Sequence, residues 1–135
     1  MAESENVRLV HQTIGMFNEG RIEEALDTVD DDFEMDWSNS IGPLKGVYTG
    51  RSQLRTFWTT FRDAWEEVRY EVEEVIEVDD SQLIAVNQLR MRGRGSGVDV
   101  EATGAQLWKV AGGRPRSVKL YQSKAEALEA VAGRS

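Results

Sequence analysis

The stretch "RMRGRGSGVDVEATG", residues 90–104, sets arginines on alternate positions, passes through a glycine cluster, and then sets acids on alternate positions. Its reading decides the fold. A phosphate-binding loop leads its glycines from a strand into a helix, whose N-terminal amides face the anion. A hairpin places its glycines between two strands, with side chains alternating on either side. Here Arg90, Arg92 and Arg94 alternate before the glycines, and Asp99 and Glu101 alternate with Val98 and Val100 after them, so strand leads into strand. With the turn over Gly95 to Val98, Arg94 would oppose Asp99, Arg92 would oppose Glu101, and Arg90 would oppose Thr103. The expectation is a hairpin zipped by cross-strand charge pairs.

The same period of two extends in both directions from the hairpin. "VRYEVEEVIEV" (68–78), "QLIAVNQLRMR" (82–92), "VDVEATGAQLWKV" (98–110) and "PRSVKLYQS" (115–123) read as four successive strands, joined by "DDS", "GRGSG" and "AGGR". Joints this short favour antiparallel neighbours.

Upstream the period is helical. Val7, Val10, Ile14 and Phe17 form one stripe, with Ser4 as N-cap and Gly20 as stop. Ile22, Ala25, Leu26 and Val29 form a second, shorter one that ends at the acidic corner Asp30-Asp31-Asp32. "FEMDWS" (33–38) alternates as a strand, with Phe33, Met35 and Trp37 on one face and Glu34, Asp36 and Ser38 on the other. "NSIGPLKGVYTG" (39–50) reads as a loop. Leu54, Phe57, Trp58, Phe61 and Trp65 then recur at helical spacing, predicting a third helix over about 51–67. After the strands, Ser123 and Glu126 form a capping-box pair opening a last helix, with Leu128 and Val131 inward and Gly133 as its stop. The order helix, helix, strand, helix, four strands, helix specifies an α+β domain: one unit over residues 1–135, a bent mixed or antiparallel sheet with helices in its concave face.

Composition narrows the functional classes. The 135 residues carry a net charge of −8, a field that repels a phosphate backbone, so nucleic acid is not an expected partner. Cysteine is absent, which excludes disulfides, thiolate metal sites and thiol catalysis together. The single histidine, His11, with scattered acids has no ligand spacing, so no metal and no cofactor is expected. No apolar run approaches a membrane span, and the polar, acidic start lacks the features of a secretory signal; the expected location is the cytoplasm.

In the order and spacing of "FNEGRIEEAL", "DDFEMDW", "GVYTGRSQLRTFW", "LRMRGRGSGVDVE" and "LWKVAGGRPRSVKLYQSKAEAL", the chain resembles the SnoaL-like branch of the nuclear transport factor 2-like superfamily, over about residues 5–133. The resemblance implies a cone-shaped α+β roll, of the cystatin-like and ketosteroid-isomerase type, with a pocket at its open end. It also implies several chemistries, because members include isomerases, dehydratases, hydrolases, polyketide cyclases and non-catalytic binding modules. Matched to ketosteroid isomerase, Asp36 takes the general-base position, Thr13 stands where a tyrosine is needed, the buried acid falls near Ala105, and Trp58 replaces a pocket tyrosine. One role of three survives. Alternation moreover sets Asp36 opposite the apolar face of Phe33, Met35 and Trp37.

The candidate acid/base groups are therefore Asp36 and His11, the latter for its titration near neutrality. The expected pocket lining combines Thr13 and Phe17 from the first helix, Trp37 from the first strand, and Phe57, Trp58 and Phe61 from the third helix. The later strands add Asn87, Leu89, Leu120 and Gln122, whose polar members need partners if they face inward. Ile84, Val86, Trp108 and Tyr121 together suggest an apolar outer sheet face, and with it a homodimer through the convex side. Three functional readings follow: binding of a small hydrophobic molecule in an aromatic-lined pocket, an isomerase, cyclase or dehydratase using Asp36 or His11, and a dimeric interaction module with a filled cone.

Overall fold

The structure is a computed structural model that describes residues 4–39, 45–95 and 97–132. Four helices and six strands appear in the order α1 (Glu5–Asn18), α2 (Ile22–Thr28), β1 (Glu34–Asp36), β2 (Val47–Thr49), α3 (Gly50–Asp63), β3 (Trp65–Glu77), β4 (Gln82–Gly93), β5 (Asp99–Ala111), β6 (Arg114–Tyr121) and α4 (Lys124–Ala132). The strands form one mixed sheet of order β2-β1-β6-β5-β4-β3. Every pairing is antiparallel except β1 with β6. Register shifts at Trp65/Glu67 and Val72/Glu74 break the β3–β4 ladder, and bulges of this kind bend a strand so that the sheet curls. The α+β cone anticipated from the sequence is the fold observed. No helix among the described residues is long and apolar enough to cross a membrane.

Local rules account for the helix ends. The Ser4 hydroxyl accepts from the Val7 amide at 3.1 Å, capping α1, which buries Val10, Thr13, Ile14 and Phe17. The Ser123 hydroxyl accepts from the Glu126 amide at 3.1 Å, and the Glu126 carboxylate accepts from the Gln122 amide at 3.1 Å, a variant of the capping box displaced by one residue. Within α4 it is Ala127, fully buried, that meets the sheet; Val131 is half-buried, and Leu128, expected inward, is exposed. Gly133, and Ser40 to Leu44 of the loop, lie outside the described residues.

Three expectations are corrected. Val47–Thr49, read as loop, is a strand pairing with β1 along Glu34↔Thr49, Met35↔Tyr48 and Asp36↔Val47. Three residues flanked by glycines are too few to display a period. The third helix stops at Asp63, and Trp65 opens β3 instead of closing the helical stripe. The hairpin register also differs by two residues from that expected. Arg92 opposes Asp99 and Arg90 opposes Glu101, because the turn is longer and runs through Gly95 and Gly97, both at positive φ where a side chain is strained. Arg94 leaves the ladder altogether and donates to the carbonyls of Asp63 at 3.0 Å and Trp65 at 3.3 Å, tying the hairpin to the end of α3. The charge zipper itself exists: Arg90 lies 3.0 Å from Glu71 and 3.8 Å from Glu101, bridging three strands, and Arg92 lies 2.9 Å from Asp99.

Two apolar clusters flank the sheet. The larger, on the concave side, joins Val10, Ile14 and Phe17 of α1, Leu26 of α2, Met35 of β1, Leu54 and Phe57 of α3, and Leu83 and Trp108 of the sheet. Each fully buried leucine there is worth about 1.5–3 kcal/mol of transfer free energy. The smaller, on the convex side, places Ile84, Val86, Ala105 and Leu107 beneath Ala127 of α4. This overturns the grounds for a dimer through an open apolar face. Ile84 is 0% and Val86 7% exposed, covered by the chain's own helix, while Trp108 pairs with Leu83 and joins the concave cluster. The remainder of the convex face, toward the hairpin, carries the Glu71, Arg90, Glu101, Arg92 and Asp99 charges.

Candidate functional site

The curl of the sheet around α1 and α3 leaves a cavity of about 520 Å³. Its walls are Trp37 after β1, Phe57, Thr60 and Phe61 of α3, Ala64 just after it, Trp65 and Tyr70 of β3, Asn87, Leu89 and Met91 of β4, the stretch from Val100 to Gln106 of β5 apart from Glu101, Leu120 and Tyr121 of β6, and Gln122 just after it. A second, inner space of about 40 Å³ continues toward α1 between Thr13, Ile14, Phe17, Met35, Trp58, Trp108 and Val118. Trp37, Phe57, Tyr70 and Gln106 border both and form the neck between them.

The aromatic wall is held by ring contacts. Phe57 stacks on Phe61 with centroids 5.8 Å apart and meets Trp37 edge-on at 6.0 Å, while Phe17 meets Trp58 edge-on at 5.0 Å. Backbone-directed bonds hold the elements that carry these rings. The Asn18 amide grips Tyr70 twice, donating to its carbonyl at 2.8 Å and accepting from its N–H at 2.7 Å, and Arg62 donates to the Phe17 carbonyl at 2.9 Å. The helix ends are thereby fixed to the sheet beside the cavity.

The polar groups on the walls are few and neutral. Thr13 is spent inside its own helix, its hydroxyl donating to the Leu9 carbonyl at 2.9 Å. At the rim, Gln122 donates to the Asn39 carbonyl while Asn39 donates to the Leu120 carbonyl at 3.1 Å, a latch joining the β1 exit to the β6 exit. Gln106, 5% exposed, accepts from the Trp108 indole at 3.1 Å. Asn87, 3% exposed, has a buried Oδ1 with no hydrogen-bond partner. Burial alone pushes the Tyr70 hydroxyl well above the ordinary phenol range, so it is a neutral group at any physiological pH. Among the described residues, no carboxylate, histidine, lysine or arginine lines either space, and no cluster of three or more histidine or acidic side chains could hold a metal ion.

Thr13, Phe17, Trp37, Phe57, Trp58, Phe61, Asn87, Leu89, Leu120 and Gln122, gathered from five separate segments of sequence, each border one or both of these adjoining spaces. The two acid/base candidates do not. Asp36 points to the convex side, opposite Met35, where the Ser38 amide donates to it at 3.0 Å and Lys119 lies 3.6 Å away. Partial burial there would raise its pKa, but the Ser38 amide and hydroxyl and Lys119 outweigh it and hold the carboxyl below the usual aspartate value. His11 is exposed on α1 and borders neither space. Tyr70 and Gln106 were missed. Alternation in "VRYEV" places Tyr70 in phase with Val68 and Val72, and Gln106 is in phase with Trp108, so a correct facing for those strands would have found both.

The fold has known relatives, although no curated protein matches the chain. TerC, crystallised with polyporic acid, superposes with a TM-score of 0.77 at 15% identity, over 96% of this chain and 99% of its own. A nuclear transport factor 2-like protein of unknown function from Burkholderia pseudomallei gives 0.77 at 18% identity, covering 94% and 97%. Rv0760c from Mycobacterium tuberculosis, in complex with estradiol-17β-hemisuccinate, gives 0.76 at 17% identity, covering 91% and 97%. At such identities the likeness shows the shared cone and no more. The sequence carries the closer assignment: residues 10–118, from the middle of α1 through β6, match the SnoaL-like domain model, and the chain belongs to the SnoaL-like domain family.

Proposed function

We propose that this protein binds a small, neutral, predominantly apolar ring compound in the cavity between α3 and the sheet. The observation that carries the reading is the cavity itself: about 520 Å³, walled by Trp37, Phe57, Phe61, Trp65, Leu89, Met91 and Leu120 with a few neutral polar groups. That volume lies in the usual range for small-molecule sites, which are mostly apolar with a few polar groups to fix orientation. TerC with polyporic acid and Rv0760c with estradiol-17β-hemisuccinate, which share the fold, support small-molecule binding. A filled cone acting only as an interaction module fits poorly with so large a space.

Proton-transfer catalysis has less support. A general base must come within hydrogen-bond reach of its substrate. Asp36 lies on the far side of the sheet and His11 on the outer surface of α1, so neither reaches the cavity.

The test is calorimetric titration and thermal denaturation with a panel of neutral steroids, quinones and polycyclic aromatics. A ligand present at a hundred times its Kd should add about 2.7 kcal/mol of stability. Trp37 and Trp65 line the cavity, so their emission should change in step. A panel that leaves both melting temperature and emission unchanged at 100-fold excess over protein sinks the reading.

A further inference from the structure

The three neutral polar groups Tyr70, Asn87 and Gln106 fall on one diagonal of the concave face. Tyr70 pairs with Leu89 and Asn87 pairs with Val72, so Tyr70 and Asn87 are diagonal neighbours on β3 and β4. Asn87 pairs with Gly104 and Ala85 with Gln106, so Asn87 and Gln106 are diagonal neighbours on β4 and β5. Such neighbours lie roughly 7–8 Å apart, a spacing that groups on one fused-ring molecule can span. The position directly across from Asn87 is Gly104, which itself borders the cavity.

The hydrogen-bonding sense of each group follows from its surroundings. An indole N–H can only donate, so the Gln106 oxygen must face Trp108, and its Nε2 is the end left to donate. Tyr70, kept neutral, has a hydroxyl to offer at the neck. The Asn87 oxygen is buried and unpartnered, and a half-turn of its amide about χ2 brings that acceptor to the cavity side. A folded chain seldom retains an unsatisfied buried amide on its own account, and here the amide borders the cavity of about 520 Å³.

Resting on the binding function proposed above, we infer that the Tyr70-Asn87-Gln106 diagonal selects a neutral ring compound carrying both a carbonyl and a hydroxyl. The carbonyl accepts from Gln106 Nε2, the hydroxyl donates to the neighbouring Asn87 Oδ1, and the Tyr70 hydroxyl bounds the far end of the diagonal. Carboxylated or phosphorylated analogues are disfavoured, since no described wall residue carries a positive charge to receive them and a buried, unpaired anion is costly.

Four related probes separate the terms: fluorene, 9-fluorenone, 2-hydroxy-9-fluorenone and 9-fluorenone-2-carboxylate, titrated calorimetrically at pH 7. The expected order is fluorene weakest of the neutral three, with 9-fluorenone about tenfold tighter and the hydroxyketone about tenfold tighter again, each step the size of one hydrogen bond made to a group otherwise unpaired. The carboxylate should bind more weakly than 9-fluorenone. Gln106→Met keeps a weakly accepting sulfur beside Trp108 while removing the donor, and should abolish the advantage of 9-fluorenone over fluorene. Asn87→Leu should abolish only the hydroxyl increment. A wild-type far-ultraviolet circular dichroism spectrum and a single cooperative melt in each variant report an intact fold.

Equal binding of all three neutral probes, a ladder that survives both variants, or tightest binding of the carboxylate overturns the inference while leaving the apolar cavity standing. Failure of all four to bind overturns the cavity reading and this inference with it.

Discussion

Replacing Asn87 by leucine should make the unliganded protein more stable. Asn87 is 3% exposed and its Oδ1 has no hydrogen-bond partner, so the folded state carries the desolvation cost of an unpaired polar atom, about 1–3 kcal/mol. Leucine is similar in shape and removes that cost. Unfolding entropy of about 2.1 cal/mol/K per residue over the 135 residues converts the gain to a rise in melting temperature of roughly 4–11 °C. The assay is thermal denaturation followed by circular dichroism, with urea unfolding to show that the denaturant slope is unchanged. Gln106→Leu supplies the contrast. Its oxygen accepts from Trp108, so its loss strands a buried indole N–H and should cost about 1–3 kcal/mol. Two amides on neighbouring strands should thus respond to the same substitution with opposite sign. A melting temperature that falls in Asn87→Leu would refute the reasoning, because it would mean the amide is a structural bond and not a group held for a ligand.

Three further outcomes are expected. The Asp36 carboxyl is held below its unfolded pKa of about 3.9, so the stability it contributes is complete above that pH and is lost as pH falls through the depressed folded value. Asp36→Asn should therefore flatten the acid limb of the stability profile, cost on the order of 1 kcal/mol at pH 7, and leave ligand affinity unchanged; altered affinity would place Asp36 in the site. A Cβ at Gly104 would lie 3.3 Å from the Tyr121 carbonyl oxygen, a backbone atom with little freedom to yield, so Gly104→Ala should destabilise by about 1–3 kcal/mol and weaken binding. Wild-type stability and affinity in that variant would show that β5 and β6 can part. Ala127→Asp puts an unpaired charge against Ile84 and Leu107 and should cost about 3–5 kcal/mol, loosening α4. Sedimentation velocity should then show concentration-dependent self-association through the uncovered face, and a monodisperse, fully stable variant would contradict the covering role of α4.

How much of this was legible in the sequence depended on the range of the interaction involved. Features set by neighbours in the chain could be read directly: the Ser4 cap, the α1 stripe, the alternation that sends Met35 inward and Asp36 outward, and the glycine turn between β4 and β5. Facing was not legible between strands. Ile84 and Trp108 each alternate correctly within their own strand, but only the register Leu83↔Trp108 shows that they lie on opposite sides. The α3 boundary failed for a related reason, since Trp65 satisfies the helical spacing of Leu54, Phe57, Trp58 and Phe61 and the strand of Val68 and Tyr70 equally well. For the site, aromatic and aliphatic walls could be named because the core and the cavity share one apolar face. Gln106 could not be named, because its importance lies in a bond to Trp108 whose facing had been misjudged. Arg94 similarly gave up its place in the charge ladder for backbone carbonyls at Asp63 and Trp65 that no spacing rule connects to it.

The pairing of β1 with β6 sets a timetable for synthesis. Met35 meets Val118 across the parallel step between β1 and β6, so about 80 residues must be made before β1 gains its β6 neighbour. At ribosomal rates of about 5–20 residues per second that is roughly 4–16 s, during which Phe33, Met35 and Trp37 have no sheet to join. The hairpins of β3 to β6 can close within microseconds of emerging, and α1 and α2 can form at once. The nascent chain is therefore a helical start and a growing meander joined by the short β1–β2 pair, whose docking against β6 comes last.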